Sequence, residues 1–378
     1  MNALWLIASW IISIILALVS LMILGMGGYV QFFILLLISL LFFPPIIGFL
    51  KSTGVPVTWW LRVIAIVILY AGLMLSFTLN PAKSIYKSPK YREKLIKIYD
   101  EKLSQWPTPY ESRYLDTKYG KVHVIVSGPE DGYPVMLINA SGVAGWSWIF
   151  NVGALNKKFR TYAIDNIGEA GKNDLKQPNY IPSNGPEIAA YYADIGNQLG
   201  FKKSHVIGAS VGGFISSNYA VYAPERVNKL VLLGSMGYGF TLKTIATLII
   251  AQGYPIKPIQ DATFTWAFGN ALHVRDAFGP WFRLVMKGMV PTPIVPKSLS
   301  PEELKRISAP TLTFIGTKDA VVGDFKKAAD LAKNIPNSKI RIVESGHLIG
   351  AELSGQVNQE IMLFLTEDET NPYPPPIL

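Results

Sequence analysis

The chain has 378 residues, no cysteine, 50% hydrophobic residues and a formal net charge of +9. The lack of thiols excludes a disulfide scaffold, a thiolate metal site and a cysteine nucleophile, and the hydrophobic fraction excludes a disordered chain. Residues 1–105 carry +6 and the remaining 273 residues only +3, so the charge forms no basic nucleic-acid-binding stripe and fits an anionic membrane instead.

Residues 1–80 include 57 hydrophobic residues and two charges, Lys51 and Arg62. Ala3–Leu24 is an uncharged run long enough to cross a bilayer. Val30–Leu50 is a second run, which Pro44-Pro45 must kink or break. Val57–Phe77 is a third, with Trp59, Trp60 and Arg62 at its start as at a membrane interface. A signal peptide fits poorly, because no basic segment leads in and the run recurs. The expectation is a multi-pass membrane region over 1–80, of three spans or of two plus a re-entrant segment. Lys83, Lys87, Lys90, Arg92, Lys94, Lys97 and Lys102 follow it closely, so the positive-inside rule puts the rest of the chain in the cytoplasm.

Residues 81–108 read as a basic amphipathic linker helix. Ser88-Pro89 suits a helix start, with Ser88 as N-cap, and Tyr91, Leu95, Ile98, Tyr99 and Lys102 share one face. That stripe either lies on anionic lipid or packs on the following domain.

Residues 109–368 alternate between strand and helix. Eight strands are expected at Ser112–Asp116, Val122–Ser127, Val135–Asn139, Thr161–Asp165, Ser204–Ala209, Lys229–Leu233, Thr311–Ile315 and Lys339–Val343. Helical runs lie at Trp146–Leu155, Pro186–Leu199, Gly212–Tyr222, Phe325–Asn334 and Gly355–Leu365. Such alternation predicts an α/β fold, a doubly wound and mostly parallel sheet covered on both faces. Residues 237–306 break the rhythm between two core strands and read as a cap insertion. Phe264, Trp266, Phe268, Trp281 and Phe282 there either line a hydrophobic acyl or alcohol pocket or form the cap's own core. Residues 369–378 are a Pro-rich tail.

Gly208-Ala209-Ser210-Val211-Gly212 lies between a strand and a helix, the setting in which G-x-S-x-G exposes a nucleophile on a sharp turn. Ser210 is the candidate nucleophile, and the Val211 N–H can point at a developing oxyanion. Of four histidines, His123 and His205 lie inside strands, where a buried structural role is expected, and His273 lies in the insertion. His347 follows the last strand and is the candidate base. Asp319 sits at the end of the strand Thr311–Ile315, 28 residues before His347, and is the candidate carboxylate that orients the imidazole. Asp324 competes, but its place at a helix start gives it a capping role.

From Glu111 to Leu365 the chain resembles the α/β-hydrolase superfamily, in its bacterial serine esterase-like branch. The resemblance rests on the elbow at Ser210, the acid turn at Asp319, the Ser-Gly-His element ending at His347, and Asp165-Asn166-Ile167-Gly168-Glu169-Ala170-Gly171-Lys172, which is similar to the family's Asp-x-x-Gly-x-Gly stretch. Tyr91–Tyr110 also resembles the lead-in of esterase-like members. One element departs: where the family has His-Gly after the third strand, this chain has Asn139-Ala140. The resemblance gives the second oxyanion N–H to Ser141. Asn139 could bond neighbouring backbone, and Ala140 is less free than glycine to take a positive φ.

The resemblance implies a serine hydrolase that cleaves a carboxylic ester through an acyl-enzyme, without metal or organic cofactor, and the apolar runs of residues 1–80 would anchor it in a membrane. Its partners would be a small, hydrophobic or lipid-like ester and the bilayer, with no nucleic acid. Other serine acyl-transfer chemistry (thioesterase, peptidase, lactonase, acyltransferase) and a non-catalytic receptor on this fold are the alternatives.

Overall fold

The computed structural model describes residues 3–25, 29–53, 63–72, 84–177, 180–235, 257–269, 271–289, 297 and 299–367. The Pro-rich tail lies outside the described residues, as do parts of the expected third span and of the cap. The chain divides into two compact units, residues 1–83 with 247–259 and residues 84–246 with 260–378.

The first unit is helical. Helix α1 spans Ala3–Gly25, α2 Tyr29–Phe42, α3 Pro44–Ser52 and α4 Val63–Gly72. Helices α1 and α2 pack against each other. Across their seam the Ser39 hydroxyl donates to the Ser13 carbonyl at 2.9 Å and the Ser13 hydroxyl to the Ser39 carbonyl at 3.0 Å. Leu35 and Ile38 are buried there against Leu16, Val19 and Ile23. The outer faces are apolar and open: Ile7, Ile11, Phe33, Leu37 and Phe49 are all exposed.

The second apolar run is broken at Pro44, as its sequence leads one to expect. Pro44 has no N–H to continue the ladder, and the chain bends by 73° between Val30–Phe42 and Pro44–Leu50. Among the described residues no single helix is long and apolar enough to cross a membrane; that bent pair passes the length and composition test jointly, and the described apolar stretches of α1 and α4 are Leu6–Leu21 and Val63–Gly72.

The second unit is built on one sheet. Its strands are β1 (Tyr110–Thr117), β2 (Gly120–Ser127), β3 (Tyr133–Ile138), β4 (Phe159–Ile164), β5 (Asp174–Leu175), β6 (Ser204–Ala209), β7 (Val227–Leu233), β8 (Thr311–Gly316) and β9 (Ser338–Val343), in the order β1-β2-β4-β3-β6-β7-β8-β9. The expected eight strands become nine, because two residues of the loop after β4 pair with the start of β2. Such a short edge pairing leaves no periodicity to read. Strands β3, β4, β6, β7, β8 and β9 run parallel, and β1 and β2 are antiparallel.

Period-two alternation explains the two cores. Met136, Ile138 and Val206 enter one apolar cluster; Val135, Leu137 and Ile207 enter the other, across the sheet. Helices α7 (Gly185–Gln198) and α8 (Val211–Tyr222) contribute to the first cluster.

The linker helix, α5 (Pro89–Leu103), belongs to the second cluster. Leu95 and Tyr99 are fully buried, and Tyr99 packs on Trp281. The stripe therefore packs on the domain. Pro89 opens the helix as expected, but Ser88 makes no side-chain capping bond.

Of the expected cap, helices Lys257–Phe268 and Leu272–Gly288 are described. The expected helix at Trp146 starts as a 3₁₀ turn, Gly145–Trp148, before α6 (Ile149–Leu155).

Candidate active site

The strand order reverses beside β3: the chain steps from β3 to β4 on one side, then crosses to β6 on the other. Open α/β sheets bind ligands at such a switch point, outside the carboxyl ends of the strands. The loops after β3 and β6 flank it, and they carry Asn139–Gly142 and Ser210.

Ser210 has φ 53° and ψ −119°, and among the described residues it is the single non-glycine residue with positive φ. The turn is too tight for side chains around it. A Cβ at Gly212 would strike the Ile138 carbonyl, and one at Gly208 would meet the Ser216 hydroxyl and the Gly212 carbonyl. Ser210 thus projects at the start of α8, and the Val211 N–H that follows is a first-turn amide with no intrahelical acceptor.

The structure brings the three expected side chains together. His347 Nε2 lies 2.7 Å from Ser210 Oγ, and His347 Nδ1 lies 2.8 Å from Asp319 Oδ2. The second carboxylate oxygen, Oδ1, accepts the Val321 and Val322 N–H groups at 2.9 Å each, so both oxygens are satisfied and the carboxylate is fixed. All three residues are buried, and the Phe268 ring stacks beside His347. Asp324 caps the helix Phe325–Ala332 by accepting from the Lys326 and Lys327 N–H groups.

The other histidines are occupied elsewhere. His205 is buried in β6, and burial with the nearby Lys229 charge pushes it down to about 3, keeping it neutral. His273 contacts the Ala351 carbonyl at 3.1 Å. His123 lies 3.2 Å from Asp165 Oδ2 and 3.1 Å from Ser112 Oγ, with the Tyr99 hydroxyl donating to Asp165 Oδ1 at 3.0 Å. Gly145 and Lys172 N–H groups also donate to this buried carboxylate.

The loop after β3 behaves as the Asn139-Ala140 departure leads one to expect at position 140. Ala140 does not take a positive φ; Gly142 does, at 75°. Asn139 is fully buried and its Nδ2 donates to the Ala140 and Val143 carbonyls at 3.0 Å each. Ser141 is exposed and stands outside the pocket lining, which includes Ala140 and Val143. Its hydroxyl donates to Glu169 Oε1 at 2.7 Å, and the Trp281 Nε1–H donates to the Gly142 carbonyl at 2.8 Å.

The pocket beside Ser210 encloses about 430 Å³ with its open mouth. Trp148, Phe278, Leu348, Ile349 and Val143 give it apolar walls, and among the described residues His347 is the one titratable group in its lining. The five cap aromatics expected from the sequence are absent from that lining. Phe264, Phe268 and Phe282 pack on one another, Phe268 also stacks beside His347, and Trp281 packs on Trp146 and Tyr99; Phe264, Trp281 and Phe282 belong to the second apolar cluster of the hydrolase unit, not to a core of the cap alone. Phe278 was hidden among them because helix phase, which residue type does not reveal, decides which aromatic faces the pocket. Glu169 also escaped: its role depends on contact with residue 141, which no spacing rule predicts.

The family model described as "alpha/beta hydrolase fold" matches residues 133–255. The chain is 29% identical over 292 residues to carboxylesterase YbfK of Bacillus subtilis, covering 72% of this chain and 93% of that one. It is 28% identical over 297 residues to the uncharacterized carboxylesterase nap of the same organism, covering 76% and 98%. The crystal structure of carboxylesterase CesB (YbfK) superposes with a TM-score of 0.68 at 26% identity, covering 74% of this chain and 99% of that one. The chain therefore has the α/β-hydrolase fold and is similar to bacterial carboxylesterases over most of its length. It is an esterase-type hydrolase.

Proposed function

We propose that this protein is a membrane-anchored serine carboxylesterase acting on uncharged, hydrophobic esters. The observation that carries the reading is the continuous Ser210–His347–Asp319 contact beside an apolar pocket. In the reaction His347 takes the Ser210 proton as Oγ attacks the ester carbonyl, and Asp319 orients the imidazole and stabilises its charged form. The Val211 and Ser141 N–H groups hold the oxyanion. His347 then protonates the departing alcohol, leaving an acyl-enzyme. A water that loses its proton to His347 attacks the acyl carbonyl and releases the acid.

The anchor is supported by the inside-out character of the α1–α2 pair, with serine hydroxyls in the seam and large apolar side chains outside. Helices packed in lipid have this arrangement, whereas soluble proteins rarely leave such large apolar faces open. The Lys/Arg excess after residue 80 supports a cytoplasmic side for the hydrolase unit.

A fluorophosphonate probe and a series of p-nitrophenyl esters of increasing chain length test the enzyme reading. Labelling and turnover are expected in the wild type and not in Ser210→Ala, with kcat/KM rising from acetate to medium chains. Labelling that persists in Ser210→Ala overturns the nucleophile assignment.

A further inference from the structure

The Ala140–Ser141 peptide is held from both ends. Its carbonyl accepts the Asn139 side-chain amide at 3.0 Å. In a trans peptide the N–H points opposite to the C=O, so this bond also aims the Ser141 N–H. On the far side the Ser141 hydroxyl donates to Glu169 Oε1 at 2.7 Å, and the Gly142 N–H donates to Glu169 Oε2 at 2.6 Å. Two consecutive residues thus use both oxygens of one buried carboxylate. Glu169 comes from the loop after β4, whose neighbouring Asn166 also donates to the Asn139 carbonyl at 2.8 Å.

We infer that Glu169 is a positioning residue for the oxyanion site: its carboxylate, clamped on Ser141 and Gly142, holds the Ser141 N–H in the direction a tetrahedral intermediate requires. The inference rests on the serine-esterase reading above. An ionised carboxylate accepts from both donors, whereas a protonated one keeps both contacts only if the Ser141 hydroxyl turns from donor to acceptor, which gives up the charge-assisted strength of the two bonds. Burial raises the Glu169 carboxyl above its usual range, against the lowering effect of the two hydrogen bonds. The charged or titratable neighbour facing it is Tyr192 of α7, itself raised by burial and by the Glu169 charge. Protonation of Glu169 therefore loosens the loop, and activity falls on the acid side by an ionisation additional to that of the base.

The test uses the full-length protein in detergent, with kcat and KM for p-nitrophenyl butyrate measured against pH and the inhibition constant of a trifluoromethyl ketone measured in parallel. Glu169→Gln is expected to lower kcat about 10- to 100-fold, less than outright loss of an oxyanion donor, with little change in KM. Affinity for the ketone, which forms a tetrahedral adduct, falls in step, and the acid limb loses one ionisation. Glu169→Asp recovers part of the loss. Ser141→Ala, at an exposed position, lowers kcat in the same direction and decides the matter if Glu169→Gln does not fold. Wild-type kcat and pH profile in Ser141→Ala and in any folded Glu169→Gln overturn the inference and leave the esterase reading intact. Absence of turnover in the wild type overturns both.

Discussion

Ser210 occupies backbone space that costs a non-glycine residue about 1–3 kcal/mol, and the surrounding turn, with no room for side chains at 208 and 212, maintains it. Residue types do not confer this. Ser112, His123 and Asp165 repeat the three types at 3.1 and 3.2 Å, but Ser112 lies mid-strand in β1 and none of the three lines the pocket. Ser112→Ala should leave fluorophosphonate labelling and kcat within about twofold of wild type, as for a substitution outside the reacting groups. Asp319→Asn should lower kcat by about 10³–10⁴-fold with KM little changed, since the imidazole tautomer is lost while the pocket remains; steady-state kinetics separate the two cases. Ser210, Asp319 and His347 were legible because each sits where a strand ends, a place that sequence marks by a change from apolar run to small or polar residues. The Ser141 assignment was less complete. Asn139-Ala140 signalled a change of loop shape, but the shift of positive φ to Gly142 and the Glu169 clamp arise from a long-range contact.

At the scale of elements, α5 shows how a basic, amphipathic sequence resolves into a core helix. Lys90, Lys94 and Lys97 are exposed and Lys102 lies over the Trp146 ring, while Leu95 and Tyr99 are fully buried against the hydrolase core. Tyr99 also joins the Asp165 network that organises the loop carrying Glu169. Leu95→Ala should destabilise the hydrolase unit by about 2–5 kcal/mol, the usual cost of a buried leucine cavity, with unchanged kcat per folded molecule; denaturant unfolding and active-site titration measure the two quantities. The sheet was legible strand by strand because period-two and continuous apolar runs are local signals. The order of the strands and the β5 pairing were not, since they depend on which edges meet. The bend at Pro44 was legible as a break, and its 73° angle was not.

For the whole molecule, about three quarters of the chain covers nearly all of a solved carboxylesterase, and about a quarter of it has no counterpart there. Two chemistries coexist in one sequence: an apolar helix pair with polar residues in its seam, and an α/β unit with apolar cores on both sides of its sheet. If the helix pair serves as an anchor, esterase activity should remain in the membrane pellet after carbonate washing and enter solution only with detergent. Release by carbonate would remove the anchor from the proposal. Protease added to intact cells should spare the hydrolase unit, and digestion of that unit would reverse the orientation.

The bond from Trp281 to the Gly142 carbonyl bears on how this scaffold can be engineered. The cap helix that supplies Phe278 to the pocket wall also braces the loop proposed to hold the oxyanion. Exchanging the cap for a roomier one to broaden substrate range would thus remove a brace from the catalytic loop. A graft that keeps Trp281 and the register of its helix, and varies position 278 within it, separates selectivity from turnover.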